Sequence, residues 1–119
     1  MQILITSEAT RSADAILVER VSEHVSSALA EVADHITYAE VHFSDDQVAT
    51  EGSMELRCLI EARLRGRQPM LVIHQAGSVD SAVAGALKSL RKVIDSAFAR
   101  HREQFNRHFQ PAAWPGTHE

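Results

Sequence analysis

The chain has 119 residues, 45% of them apolar and 24% charged, which suits one globular domain with a buried core and excludes a disordered chain. A lone cysteine, Cys58, excludes an internal disulfide framework, and no apolar run approaches the ~20 residues of a membrane helix, so a cytoplasmic protein is expected. The net charge of −4 hides a division: residues 1–55 carry eleven acids and two bases, a balance of −9, while residues 56–119 carry five acids and ten bases, a balance of +5. Such asymmetry points to a polyanion-facing surface on the basic half.

In chain order, residues 2–6 read as a short strand, and residues 1–7 turn polar too soon for a secretion signal. Helix one is expected over 13–33, with Ser12 as N-cap and an apolar stripe of Leu17, Val21, Val25, Ala28 and Val32. Its outer face carries Glu19, Glu23 and Glu31. Residues 36–44 alternate as a half-buried strand, and 45–53 read as a polar loop. Leu56, Cys58, Ile60, Ala62 and Leu64 then alternate with Arg57, Leu59, Glu61, Arg63 and Arg65, the clearest strand signal in the chain. Gly66 and Arg67 make a tight turn into a strand over 68–75, with Pro69 near its start, where a missing N–H is tolerated.

The longest helix is expected over 79–107, its stripe running from Val79 through Leu90 and Ile94 to Phe105. Lys88, Arg91, Lys92, Asp95 and Arg102 fall within about a 100° arc opposite that stripe. Residues 108–119 read as a flexible tail behind a 1–107 domain. The order β-α-β-β-β-α with short links between the last three strands predicts an α+β fold. It has a four-stranded, mostly antiparallel sheet and both helices on one face.

On these residues the sequence resembles the ribosome hibernation-promoting factor family, also called ribosome-associated inhibitor proteins. The likeness covers about residues 1–103. It rests on the opening Met-Gln-Ile-Leu-Ile-Thr, the helix start from Ser12 to Val25, and the strand Glu40-Val41-His42-Phe43. Arg57 to Arg63, Gly66-Arg67-Gln68-Pro69 and His74-Gln75-Ala76 carry it further, as does the helix start at Ser78 leading to Leu90-Arg91-Lys92. The resemblance implies a double-stranded-RNA-binding-like domain, with no catalytic activity and no cofactor. It would bind the small ribosomal subunit in the channel used by transfer and messenger RNA and silence idle ribosomes. The chain departs from the family pattern at Ala84, where an acid is usual, and at Ser89, where a lysine is usual. Its first helix is acidic where the family is basic. The C-terminal dimerisation domain of long members is not expected, because the chain stops about ten residues past the second helix.

The candidate RNA-binding residues are Lys88, Arg91, Lys92 and Arg102 on the second helix with Arg63, Arg65 and Arg67 around the hairpin. Ribosomal RNA offers a dense phosphate lattice, for which arginine supplies a planar fork and lysine a point charge. Arg57, Glu61, Arg63, Glu40, His42 and His74 are expected to share the polar face of the sheet, where cross-strand charge pairing is the plainer reading. Seven histidines and Cys58 show no metal-ligand spacing, so no metal is expected, and no nucleophile–base pair or phosphate loop points to an enzyme. Trp114 lies in the tail, more simply part of a loose terminus than a docking plug. A rival reading keeps the fold as a protein-interaction module without RNA binding. It rests on acidic helix one, which would suit a basic partner or a weak homo-oligomer that joins acidic to basic faces.

Overall fold

The computed structural model describes residues 1–7, 15–48 and 53–109. These form β1 (Gln2–Ser7), α1 (Ala15–Ala28), a 3-10 helix (Ala30–His35), β2 (Ile36–Val48), β3 (Ser53–Leu64), β4 (Met70–Ala76) and α2 (Val79–Phe109). One sheet holds the strands in the order β1-β2-β3-β4. β1 runs parallel to β2, and the other two pairs are antiparallel. The fold is α+β, as the sequence pattern predicts.

Alternation sends one side of each strand under the helices. Ala39, Val41 and Phe43 of β2 and the whole series Leu56, Cys58, Ile60, Ala62 and Leu64 of β3 are buried. Val21, Val25 and Leu29 from α1 and Val83, Leu87, Leu90 and Ile94 from α2 close over them. This burial leaves the opposite side of the sheet uncovered. It also pushes the Cys58 thiol up to about 12, because a thiolate there would lose its water.

Four local differences from the sequence expectation have physical causes. The first helix stops at Ala28 and tightens into a 3-10 turn, in which Val32 N–H donates to Leu29 O at 3.0 Å. The tighter pitch brings Leu29 and Val32 into line on the core, so Leu29 rather than Ala28 is fully buried. In β2 the register shifts between Ile36 and Tyr38. That bulge lets Ile36 and Ala39, three residues apart, both face inward.

Third, β2 continues to Val48 and β3 starts at Ser53, with Asp45 opposite Leu56 and Asp46 opposite Glu55, so much of the expected polar loop is strand. The ladder there is carried by backbone hydrogen bonds. Fourth, the β3–β4 link spans 65–69, longer than the two-residue turn expected. Gly66 takes φ +71°, a left-handed conformation that favours glycine, and Arg67 N–H closes the turn on Leu64 O at 3.2 Å.

At the start of α2, Ser78 is the cap. Its Oγ accepts from Ser81 N–H at 3.2 Å, and its carbonyl accepts from Ala82 N–H at 3.0 Å. α2 reaches Phe109, two residues beyond the expected end. The expected cap Ser12 and the tail from residue 110 lie outside the described residues.

Candidate nucleic-acid interface

The two helices run side by side in the same direction. Arg20 of α1 pairs with Asp80 at the start of α2 (3.4 Å), and eight residues on, the Ala28 carbonyl accepts from Arg91 Nη1 at 3.2 Å. That carbonyl is available because the 3-10 turn sends Val32 N–H to Leu29 instead. Arg91 Nη2 also reaches Glu31 Oε1 at 3.1 Å and Asp95 Oδ1 at 3.4 Å. Glu31 above all holds the guanidinium in its charged form. A cation at a helix C-terminus is favourable in its own right. Arg91 is half-buried and ties α1 to α2, and its Nε is buried with no hydrogen-bond partner.

Lys88 and Lys92, one turn apart, point to solvent on the outer side of α2, and neither forms an ion pair among the described residues. Arg65 is exposed in the β3–β4 turn, where its N–H donates to His35 O at 3.1 Å. Arg67 from the same turn is half-buried. Its guanidinium lies 4.9 Å from the Phe98 ring centre, with Nη1 donating to Ala97 O at 3.5 Å. His35 meets the same ring edge-on at 4.9 Å, so this stack pins the turn and the 3-10 helix to α2.

Arg63 projects from the uncovered side of the sheet, bound to Glu61 at 3.2 Å. The side chain of Arg102 lies outside the described residues. The seven expected bases are therefore divided. Lys88, Lys92 and Arg65 are solvent-facing, Arg91 and Arg67 are engaged within the fold, and Arg63 belongs to the opposite layer.

The acids of α1 sort in the same way. Arg20 and Ala28 fix the side of α1 that meets α2. At 100° per residue Glu23 then lies about 100° and Glu19 about 140° away from it. Both are exposed. Only Glu31 of the three acids stands at the seam.

On the uncovered side of the sheet, Thr6 and His42 are joined at 2.6 Å, and Tyr38 O–H donates to Glu40 at 2.9 Å, which raises the phenol above its ordinary pKa. Glu40 stands opposite Glu61, and Arg63 answers the resulting acid pair. His74 is a correction. It stands opposite buried Cys58, on the helix side, with its ring packed so closely on Gly85 that a Cβ there would collide with it. The outward positions of β4 are instead Leu71, Ile73 and Gln75, all exposed. Because β4 is apolar at both alternating sets, period alone could not tell its faces apart. Among the described residues, no three His, Cys, Asp or Glu side chains converge as metal ligands would.

This arrangement, two parallel helices across one side of a mixed β1-β2-β3-β4 sheet, is shared with solved structures of other proteins. It matches a ribosomal subunit interface protein from Coxiella burnetii with a TM-score of 0.66 at 14% identity, covering 83% of this chain and 99% of that one. It also matches the N-terminal domain of Protein Y from Thermus thermophilus with a TM-score of 0.62 at 16% identity, covering 79% of this chain and 96% of that domain. At these identities the likeness is one of fold. No protein-family model and no curated protein matches the chain by sequence.

Proposed function

We propose that this chain is a cytoplasmic, non-enzymatic hibernation factor that binds the small ribosomal subunit and blocks its tRNA and mRNA channel by occupying it. The observation that carries this reading is the fold correspondence, which takes in about four-fifths of this chain, 99% of a ribosomal subunit interface protein and 96% of the N-terminal domain of Protein Y. Lys88, Lys92 and Arg65 are the candidate phosphate contacts, being exposed and without a competing acid bound to them among the described residues. Glu19 and Glu23 are turned from α2, which supports this reading over one that sets them beside Lys88 and Lys92.

The test is co-sedimentation with purified small subunits at low and moderate salt. Binding should weaken steeply with salt as counterions are released. Lys88→Glu/Lys92→Glu should abolish it, and single Lys→Ala changes should each lower the salt slope by about one. Arg91 is a poor probe, because its loss would loosen the helix pair as well. A second reading, a protein-interaction module on this fold, is favoured by Arg91 and Arg67 being engaged internally and by the outward acids of α1. Absence of co-sedimentation even at low salt would leave that reading standing.

A further inference from the structure

We propose that β4 is a self-pairing edge, through which two copies of this chain join their sheets into one continuous eight-stranded sheet. The inference does not rest on the ribosome reading. Among the described residues β4 pairs only with β3, so its outer edge carries a row of backbone donors and acceptors with no neighbour in the described sheet. Natural edges are usually guarded by charge, by proline within the strand, or by a bulge. β4 has none of these. Residues 68–79 contain no Asp, Glu, Lys or Arg, Pro69 stands before the strand, and among the described residues the one register shift lies in β2.

Its outward side chains are Leu71, Ile73 and Gln75, and the first two are the most exposed large apolar residues described, at 57% and 51%. Leu59 stands directly beside Ile73 on the same face.

The occupant that fits is a second copy. An antiparallel pair of identical strands is closed by a two-fold axis, so each copy meets the same patch it presents. With that axis at Ile73, the row Leu59–Ile73 of one chain continues into Ile73–Leu59 of the other, an apolar stripe four residues wide. The same symmetry brings the turn end of one strand, where the exposed Arg65 stands, toward the α2 end of the other, where Asp80 stands 68% exposed in its surface pair with Arg20. Opposite charges therefore lie at the two ends of an uncharged centre.

The other edge, β1, suits the role less well. Its exposed apolar residue is Leu4 alone at 45%, beside a Thr6 already bonded to His42. A β1–β4 contact would be head-to-tail and would not close. A seven-residue edge with four half-exposed side chains sits at or below the ~1,000 Å² typical of stable interfaces, so the dimer is concentration-dependent.

Sedimentation velocity of the full chain, from about 1 µM to about 1 mM, spans the affinities expected of such an interface. The expected mass rises from 13.1 kDa toward twice that value. Ile73→Lys, which sets two like charges on the axis, holds the chain at monomer mass across the range, and Leu4→Lys leaves the rise intact. Amide exchange on the wild-type chain provides a readout that needs no variant: protection within residues 70–76 should grow with concentration. A chain monomeric throughout overturns the proposal. So does a dimer that survives Ile73→Lys, association beyond the dimer, or concentration-dependent protection confined to β1.

Discussion

The two sides of the sheet are built from the same four strands and obey different rules. On the helix side every β3 residue from Leu56 to Leu64 is apolar and buried, and its neighbours in β2 match it. On the open side a single row runs Leu4, Glu40, Glu61, Leu71, two like charges between two leucines. The difference teaches that burial, not strand propensity, enforces uniformity, because only the covered side has to give up its water. The open side tolerates local conflicts such as Glu40 opposite Glu61 as long as a neighbour like Arg63 answers them.

The contrast can be tested by graded substitutions. Phe43→Ala, in the fully buried set, is expected to cost about 3–5 kcal/mol in urea unfolding. A cost near that of an open-side change would break the comparison. Gly85→Ala comes next. Alanine would gain about 1 kcal/mol in helix propensity, yet its Cβ meets the His74 ring, so we expect a net loss of about 1–2 kcal/mol. His74→Ala in the same chain should recover most of it, which a double-mutant cycle would reveal.

The Cys58 thiol sharpens the comparison by pH. Its folded pKa, about 12, lies above the ordinary 9.0, so the stability it contributes is present in full below pH 9. That contribution is lost as pH rises toward 12, at a limiting slope of about 1.4 kcal/mol per pH unit. Wild type should therefore lose stability relative to Cys58→Ala as pH rises from 9 toward about 11, within the span between the ordinary 9.0 and the folded value of about 12. Smallest of all, Arg63→Ala on the open side should cost only about 0.2–1 kcal/mol, and less in high salt.

The fold was legible wherever a covered face imposed one period over many residues, as in β3 and α2. It was not legible where one residue decides. The bulge between Ile36 and Tyr38 depends on a register with β3 that no local pattern encodes. Ending α1 at Ala28 depends on packing Leu29 and Val32 together. Of the candidate interface, the arc holding Lys88 and Lys92 followed from helical spacing. The engagement of Arg91 followed from a neighbour some sixty positions earlier in the chain, Glu31, which spacing within one helix cannot supply. His74 was misassigned because Leu71 and Ile73 make β4 apolar on its outer side as well.

The parallel partnership of β1 and β2 also has a kinetic consequence. β2, β3, β4 and α2 follow one another through short links, whereas β1 pairs Gln2 with Tyr38 only across the whole of α1. Closing that longer loop costs more chain entropy before any contact repays it. In pulse-labelled refolding, amides of β2 to β4 should gain protection first and those of β1 last. The first strand would then lock an already assembled three-stranded sheet, and earlier protection of β1 would contradict that order.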